Sequence, residues 1–508
     1  MIRLYNLSLL VFGCCISLVV HSQDVAVSSP NGNTIATFTI DAQKNNAVFY
    51  SVKNKDKIIL AESPLGLEFE NQKALQTNLQ ILSVKRTAVN TSWKPVYGEK
   101  NKYPDHYNEV LIQLKEANAP GRKFAVTCRV YDEGVAFNYT IYTNKPLTIS
   151  RELTGFQFDK DYTSWIAHRA QAEYKQGSIS ETGSGCERPY VIKMNNDRYV
   201  ALGEAALVNN ARMKFDRSQK DSLLLVAALD GKSTYSSSFS TPWRYIMIAD
   251  SPGQLLENNY FILNLNSPNA LKDVSWIKPG KVIRESTLTT KGAKACIDFA
   301  ASHNLQYIEF DSGWYGAETD TASDATTVTV DPARSRGPLA LQEVIDYGKT
   351  KHVGVILYVN QRALATQLDS ILPLYQSWGV KGIKYGFVTV GSRQSTSWLH
   401  EAVRKAAKYK LLIDIHDEYR PTGYSRTYPN LLTQEGIRGD EESPFTEHTI
   451  TTLFTRSIAG AADNTNCYFT ARVDKMGSHV AQMAKAVCIY SPLQFLYWYD
   501  NPAPESPH

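Results

Sequence analysis

The fold is decided by the stretch VGVILYVNQRALATQLDSILPLYQSWGVKGIKYGFV, residues 353–388. It begins with Val353–Val359, an apolar run typical of a buried strand, and continues into Leu364–Trp378, which has helical periodicity. A second apolar run, Gly382–Val388, follows directly. A strand, a helix and another strand in succession indicate parallel pairing through a right-handed crossover.

The same unit recurs on both sides of this stretch. Further helices are predicted at Thr290–Asn304, Pro338–Thr350 and Ser395–Lys410. Further strands are predicted at Tyr307–Phe310 and Leu411–His416, and then at Trp276, Leu431–Thr433, Cys467–Thr470 and Cys488–Tyr490. Eight strands suffice for a (β/α)8 TIM barrel. A doubly wound open sheet is the rival, but no strand is followed by a glycine-rich phosphate turn.

The chain before the barrel has a different rhythm. From Asp24 to Asn266 it alternates apolar and polar residues in short runs separated by Gly, Asn, Asp and Pro. The runs are Thr34–Ile40, Glu109–Leu114, Phe124–Tyr131, Val135–Tyr142, Tyr199–Ala206 and Leu223–Ala228. This pattern predicts an antiparallel β-sandwich. We therefore expect a sandwich over residues 23–270, a barrel over 271–500 and a short tail at 501–508.

Residues 1–22 have the pattern of a secretory signal peptide. The apolar run Leu9–Val20 follows Arg3, and Val20–Gln23 is a plausible cleavage region. The run is shorter than the roughly 20 apolar residues that a membrane anchor needs. Gly13-Cys14 resembles a lipoprotein site only faintly, because very few apolar residues precede it. We expect export across the inner membrane to the periplasm, without a lipid anchor.

The composition excludes several classes of protein. Of 508 residues 43% are hydrophobic and 20% are charged, as in an ordinary folded protein. Lys+Arg 54 against Asp+Glu 50 gives a net charge of +4, so the overall charge does not indicate a nucleic-acid partner. Beyond the signal peptide the five cysteines are widely spaced and form no C-x-x-C motif. They indicate neither a zinc site nor a disulfide framework, and we expect small buried residues.

Polar side chains follow the predicted barrel strands. They are found at Asp311–Trp314, Asn360–Arg362, Lys384, His416–Glu418, Gln434–Glu435 and Arg438–Glu442. The strand ends of a barrel carry its active site. Glycoside hydrolysis needs one carboxylic acid and a second carboxylate, and this rim offers both. Single loop carboxylates are common, so the prediction of a sugar site depends on the cluster, in which Asp311 could bind substrate and Trp314 is expected to face the site.

Several motifs together resemble glycoside hydrolase family 97. They are residues 416–423, 426–431, 434–436 and 438–439, with 276–281, 382–384 and 490–494. The resemblance implies an exported α-glycosidase that acts on α-glucosides or α-galactosides, with Ca²⁺ at the catalytic centre. It also implies a further C-terminal β domain, which this sequence lacks; either that domain is dispensable or the sequence is truncated.

The resemblance also assigns roles to residues. Glu441, which lies 24 residues after Asp417, matches the general acid. Metal ligands are expected at Asp417, Glu435 and Glu441, with Glu173 as a fourth from the sandwich. Lys384 and His416 match residues that hydrogen-bond the sugar, and Asn360 joins Asp311 and Trp314 as a candidate substrate-binding residue.

The second catalytic carboxylate departs from the family pattern. Gly386 stands where retaining members carry an aspartate nucleophile, and Asn360–Arg362 stand where inverting members carry a base glutamate. Three interpretations remain open. Asp417 or Glu418 could act as the base of an inverting enzyme, through a water and with about 6.5–9.5 Å between carboxyls; the chain could be a nucleophile-deleted form that binds sugar; or it could be a binding relative that has lost catalysis. The Tyr358–Gln361 motif resembles retaining members and favours an α-galactosidase.

Overall fold

The computed structural model describes residues 23–195, 197–335 and 337–500. The predicted signal peptide at 1–22, with Gly13-Cys14, and the tail at 501–508 lie outside these described residues. Within them, no helix combines the length and the apolar character needed to cross a membrane.

The N-terminal part of the described chain is built from strands. They are β1 Gln23–Ser28, β2 Thr34–Asp41, β3 Ala47–Asn54, β4 Lys57–Pro64, β5 Leu67–Phe69, β6 Gln72–Leu75, β7 Leu79–Trp93, β8 Tyr103–Glu116, β9 Lys123–Tyr131, β10 Gly134–Ile141, β11 Leu147–Glu152, β12 Gly155–Gln157, β13 Thr163–Ile166, β14 Lys175–Ser178, β15 Tyr190–Asn195, β16 Arg198–Ala205, β17 Met213–Arg217, β18 Leu224–Leu229, β19 Ser233–Tyr235, β20 Phe239–Ser240 and β21 Trp243–Ala249. Each of the six strand runs predicted from alternation coincides with one of these strands.

These strands form the predicted antiparallel sandwich. The largest sheet has the order β14-β13-β15-β16-β21-β10-β9-β8-β7, with β20 beside β10, and smaller sheets of four, four and three strands accompany it. Along β2, Ala36, Phe38 and Ile40 are buried while their neighbours are more exposed, because successive side chains of a strand point to opposite faces. They join a core shared by the large sheet and its neighbours.

Two short helices, α1 Pro252–Glu257 and α2 Tyr260–Asn264, lead from the sandwich to the barrel. The barrel contains strands β22 Gly280–Glu285, β23 Tyr307–Phe310, β24 Gly354–Asn360, β25 Gly382–Gly386, β26 Leu412–Ile415, β27 Leu431–Gln434 and β28 Leu493–Leu496. Its helices are α3 Thr290–Ser302, α4 Leu341–Thr350, α5 Gln361–Trp378, α6 Arg393–Lys408, α7 Thr446–Leu453 and α8 His479–Cys488.

The barrel sheet is parallel and nearly closed, in the order β27-β26-β25-β24-β23-β22-β28. It is consistent with the predicted (β/α)8 barrel and not with an open sheet. Among the described residues, Cys467–Thr470 does not form the strand that was predicted there. Segment 462–467 fills the gap between β27 and β28 instead, with the Asp463 N–H donating to Gln434 O and the Asn466 N–H donating to Phe495 O.

Two other strand predictions are displaced. The first barrel strand is β22 at Gly280–Glu285, not at Trp276, and the last is β28 at Leu493–Leu496, because Cys488 is the final residue of α8. Four of the five described cysteines are buried, as expected, whereas Cys488 is exposed on α8.

Arg420, in the loop after β26, joins the barrel to the sandwich. Its guanidinium is buried and donates to Ala170 O at 2.7 Å, to Arg188 O at 2.9 Å and to the Tyr174 hydroxyl at 3.0 Å. It also donates to Gly436 O, within the barrel. The loop that follows β26 is therefore fixed between the two domains, and this loop begins with the predicted site residues.

Candidate active site

The loop after β27 carries Glu441 on one turn of 3-10 helix at Asp440–Glu442. Asp440 is buried, and its carboxylate accepts hydrogen bonds from the Cys467 N–H at 2.9 Å, from Lys485 Nζ at 2.7 Å and from Gln482 Nε2 at 2.5 Å. Lys485 and Gln482 face inward from α8 to make these contacts. Asp440 thus fixes the turn that presents its neighbour, Glu441.

The environment of Glu441 brings the pKa of its carboxyl group close to neutral pH. Burial raises the pKa of Glu441 to about 7, against the effect of the Lys384 ammonium, and the Glu435 carboxylate raises it further. A carboxyl group whose pKa lies near the working pH can donate a proton and take it back, which is what a general acid requires.

His416, at the end of β26, lies at the centre of the acidic cluster. Its Nδ1 is 3.1 Å from Glu435 Oε2, and its Nε2 is 2.6 Å from Asp463 Oδ2 and 3.3 Å from Asp414 Oδ2. Although burial opposes the charge, Glu435 and Asp414 raise the pKa of His416 well above its ordinary value. The surrounding carboxylates therefore favour the charged form of the imidazole, which is only 5% exposed.

Asp417 and Glu435 are linked to one another. The Asp417 N–H donates to Glu435 Oε2 at 2.7 Å, while Asp417 Oδ2 accepts the Val388 N–H at 3.1 Å. Burial raises the pKa of the Asp417 carboxyl, and Glu435 raises it further. Next in the chain, Glu418 lies 3.4 Å from Arg212 of the sandwich.

A second polar group lies on the β22 and β25 side of the barrel mouth. Asp311 Oδ2 is 3.3 Å from Arg284 Nε and 3.7 Å from Lys384 Nζ. Burial alone would raise the pKa of Asp311, but Lys384 and Arg284 lower it below its ordinary value. Lys384 Nζ also lies 3.8 Å from the ring centre of Trp498, which forms a cation–π contact. This group offers charged donors and an aromatic wall beside Glu441.

Gly386 is the last residue of β25 and pairs with Asn360 of β24. The phenol ring of Tyr358 fills the space beside it: a Cβ at position 386 would come closer than 3.0 Å to Cε2, Cζ and the hydroxyl oxygen of Tyr358. The Tyr358 hydroxyl donates to Glu318 Oε1 at 3.0 Å, and Asn360 Nδ2 donates to the same oxygen. Gly386, Tyr358, Asn360 and Glu318 form one cluster, here called the Gly386 cluster.

Two predicted site residues lie elsewhere. Trp314 was expected to face the site, but it is fully buried in the barrel core, where its indole N–H donates to Tyr358 O at 2.7 Å. Glu173 was expected to bind metal, but it is exposed on a sandwich loop and belongs to neither potential metal group found among the described residues. A different sandwich acid, Glu187, is fully buried against Arg188, Arg212 and Lys214.

Several residues that complete the site could not be predicted from any sequence pattern. Arg284 lies within strand β22 and belongs to none of the motifs described above. Asp463 lies in segment 462–467, which does not form a strand. Glu318 lies in the long connection between β23 and α4, where no periodicity predicts its position. Only the polar run Asp311–Trp314, a few residues earlier, marks this connection as part of the barrel rim.

The cluster contains the donors that a hard cation prefers. One potential metal group joins His416, Glu435 and Glu441, whose nearest nitrogen and oxygen atoms lie within 4.8 Å of one another. Glu435 Oε1 is buried and accepts no hydrogen bond. Ca²⁺ binds carboxylate oxygens, so this unpaired oxygen, with Glu441 and the adjacent Asp417, fits such an ion. A second group, Asp414, His416 and Asp463, lies deeper.

Two family models match this chain. The Glycosyl-hydrolase 97 N-terminal model matches residues 27–268, and the Glycoside hydrolase 97 model matches residues 274–437.

Relatives with names or solved structures match over most of the chain. A retaining alpha-galactosidase of Bacteroides thetaiotaomicron is 24% identical over 95% of this chain and 80% of its own length. A probable retaining alpha-galactosidase of Streptomyces bingchenggensis is 26% identical over 88% of this chain and 71% of its own. A family 97 enzyme of Pseudoalteromonas sp., solved in complex with panose, is 26% identical with a TM-score of 0.85 over 93% of this chain and 80% of its own.

Proposed function

The chain belongs to glycoside hydrolase family 97 and is a glycoside hydrolase, and from this we propose that it releases terminal α-linked galactose from α-galactosides with Glu441 as the general acid. The observation that carries the proposal is the placement of Glu441. It is partly buried at the barrel mouth, it is fixed by the anchored Asp440, and its pKa is raised to about 7.

In this reaction Glu441 protonates the oxygen of the leaving group as the bond to the anomeric carbon breaks. The ordinary glutamate carboxyl is ionised at neutral pH and could not do this, so the burial that holds its proton is part of its function. The charged group of Lys384, Asp311 and Arg284 lies beside it and offers hydrogen-bond partners for sugar hydroxyls.

Two relatives named as retaining alpha-galactosidases support the galactoside preference. The Pseudoalteromonas relative was solved with panose and with acarbose, so a glucoside is the competing substrate to test. The reaction class is the same for both sugars.

We further propose Ca²⁺ as the cofactor, held by Glu435, Glu441 and Asp417. The unpaired Glu435 Oε1 supports this assignment. When bound, the ion would polarise sugar hydroxyls and alter the pKa values of nearby carboxyls. The site would then draw its charge balance from His416, Lys384 and the ion together.

One observation favours a second candidate function, a catalytically impaired protein that binds carbohydrate. Gly386 carries no side chain to act as a nucleophile, and Tyr358 fills that space. Loss of a nucleophile can reduce turnover by many orders of magnitude while the substrate still binds.

We also propose that the protein is located in the periplasm. The signal-peptide pattern at Leu9–Val20 supports this location, and cell fractionation tests it.

The assay compares nitrophenyl α-galactoside with nitrophenyl α-glucoside, each with added calcium and with a chelator. We expect faster turnover of the galactoside and a fall in turnover on chelation. The Glu441→Gln variant should lose most activity on substrates with poor leaving groups and retain more on nitrophenyl substrates. Retained sugar binding without turnover of either substrate would instead support the impaired binding protein.

A further inference from the structure

The Gly386 cluster supplies a carboxylate at the place where strand β25 supplies none. Tyr358 Cζ and hydroxyl oxygen overlap the position of a Cβ on residue 386, so the phenol end stands at the start of the missing side chain. Glu318 Oε1 accepts a hydrogen bond from that hydroxyl at 3.0 Å. A carboxylate from the connection after β23 therefore reaches the same corner of the barrel mouth.

The Glu318 carboxylate is held in one orientation, and only one of its two oxygens accepts hydrogen bonds. Oε1 accepts both the Tyr358 hydroxyl and Asn360 Nδ2. Oε2 is buried and accepts no hydrogen bond. Burial raises the pKa of Glu318, and the nearby Asp311 carboxylate adds to the effect. A buried carboxylate oxygen without a partner is costly unless another group completes it, and a water or a sugar hydroxyl could do so.

We propose that Glu318 is the general base of this glycosidase and that the reaction inverts the anomeric configuration. The proposal rests on the function proposed above. Glu318 Oε2 takes a proton from a water molecule, the water oxygen bonds to the anomeric carbon, and the bond to the leaving oxygen breaks. Glu441 gives its proton to that leaving oxygen. One proton enters Glu318 and one leaves Glu441, so the net reaction consumes one water.

The other nearby acids are less available for this role. Glu418 is paired with Arg212, and the carboxylate of Asp417 accepts the Val388 N–H beside the proposed metal ligands. Glu309 and Asp414 are buried over their whole side chains inside the barrel, whereas Glu318 is only partly buried. The environment of Tyr358 argues against a tyrosine nucleophile: burial, and then the Glu318 and Asp311 carboxylates, raise its pKa. The Tyr358 hydroxyl therefore stays protonated, and it positions Glu318 by donating a hydrogen bond to its carboxylate.

The decisive experiment combines product stereochemistry with matched variants. Proton NMR during hydrolysis of nitrophenyl α-galactoside by the full chain should detect the β-anomer first. Glu318→Gln keeps the shape and the acceptor oxygen of the side chain, and should lower kcat by about 10²–10⁴-fold with little change in galactose binding. The control variant Glu343→Gln, at an exposed position on α4 where Glu343 pairs with Lys294, should stay within about threefold of the unsubstituted enzyme.

Azide supplies a readout that a structural role would not change. In Glu318→Ala, azide occupies the space of the lost carboxylate and should restore turnover of the nitrophenyl substrate, with β-galactosyl azide as product. Circular dichroism and galactose binding by calorimetry establish that each variant is folded.

The outcomes separate the two proposals. If the unsubstituted enzyme hydrolyses neither nitrophenyl α-galactoside nor the α-glucoside, the proposed function fails. If it hydrolyses one of them but Glu318→Gln retains full activity, or Asp417→Asn alone abolishes turnover and is rescued by azide, the assignment of Glu318 is overturned. An α-anomer as first product, with activity lost in Tyr358→Phe, would overturn it in favour of a tyrosine nucleophile.

Discussion

Replacing Gly386 with alanine should destabilise the barrel through a single contact, the one with Tyr358. The added Cβ would come closer than 3.0 Å to three atoms of the phenol end. The backbone at Gly386 is not left-handed, so alanine is not strained by itself. Tyr358 is only 4% exposed, and its hydroxyl is bonded to Glu318, so the ring has little room to move.

The expected cost follows from this overlap. Overpacking a buried site by one methyl group costs about 1–3 kcal/mol. For a folding unit of about 230 residues this corresponds to a fall in Tm of about 2–4 °C for each kcal/mol. The assay is thermal unfolding of Gly386→Ala in two backgrounds, one with Tyr358 and one with Tyr358→Ala. In the second background the ring is gone, and the alanine should cost nothing or fill part of the cavity.

A matched control lies on the same strand. A Cβ on Gly382 would lie 2.8 Å from the backbone oxygen of Leu412, a contact that does not involve Tyr358. Gly382→Ala should therefore lower Tm by the same amount in both backgrounds. An equal loss for Gly386→Ala with and without the Tyr358 ring would refute the reasoning, because the cost would then have another source.

Three further predictions concern the anchor of the acid, a buried histidine and the metal. Lys485→Met leaves the Asp440 carboxylate buried without its cation and should lower the free energy of unfolding by about 3–5 kcal/mol, as measured by thermal unfolding. A loss below about 1 kcal/mol would contradict the role of Lys485 in anchoring Asp440. Burial lowers the pKa of His400 to about 4, so the unfolded chain binds its proton first as the pH falls. As the pH falls from 6.5 to 4, His400 should therefore lower the free energy of unfolding by up to about 3 kcal/mol. His400→Gln should make the free energy of unfolding less dependent on pH in this range, and an unchanged dependence would exclude His400 as its source. Chelation should lower both kcat and Tm, calcium should restore them, and Glu435→Gln should be insensitive; a Tm unaffected by chelator would argue against a bound cation.

Periodicity located most of the barrel because its helices bury one face. The predicted helix Leu364–Trp378 corresponds to α5, which begins three residues earlier because the Asn360 side chain accepts the Arg362 N–H and caps it. Helix α8 escaped prediction for a physical reason: its polar residues Gln482 and Lys485 face inward to Asp440. Its outward side is apolar, and the end of the helix therefore resembled a strand.

The acids that directly follow strands could be located from the sequence, since the strand ends of a barrel converge. Asp417, Glu435 and Glu441 lie at or beside the predicted rim for this reason. Glu318 could not be located, because the position of its carboxylate depends on two hydrogen bonds with β24 rather than on any repeat. Trp314 follows a strand as well, but its indole N–H bonds to Tyr358 O and turns the ring into the core.

Segment 462–467, which closes the barrel between β27 and β28, has a consequence for how the sequence can vary. In a paired strand one inserted residue turns every following side chain to the opposite face. Segment 462–467 is held by separate hydrogen bonds at Asp463 and Asn466 rather than by a continuous ladder. An insertion between these two anchors would change the local path and leave the rest of the wall in register. Because Asn464 and Thr465 between the anchors are buried, and Asn464 O accepts the Asp440 N–H, such an insertion would displace Asp440 and the turn that carries Glu441.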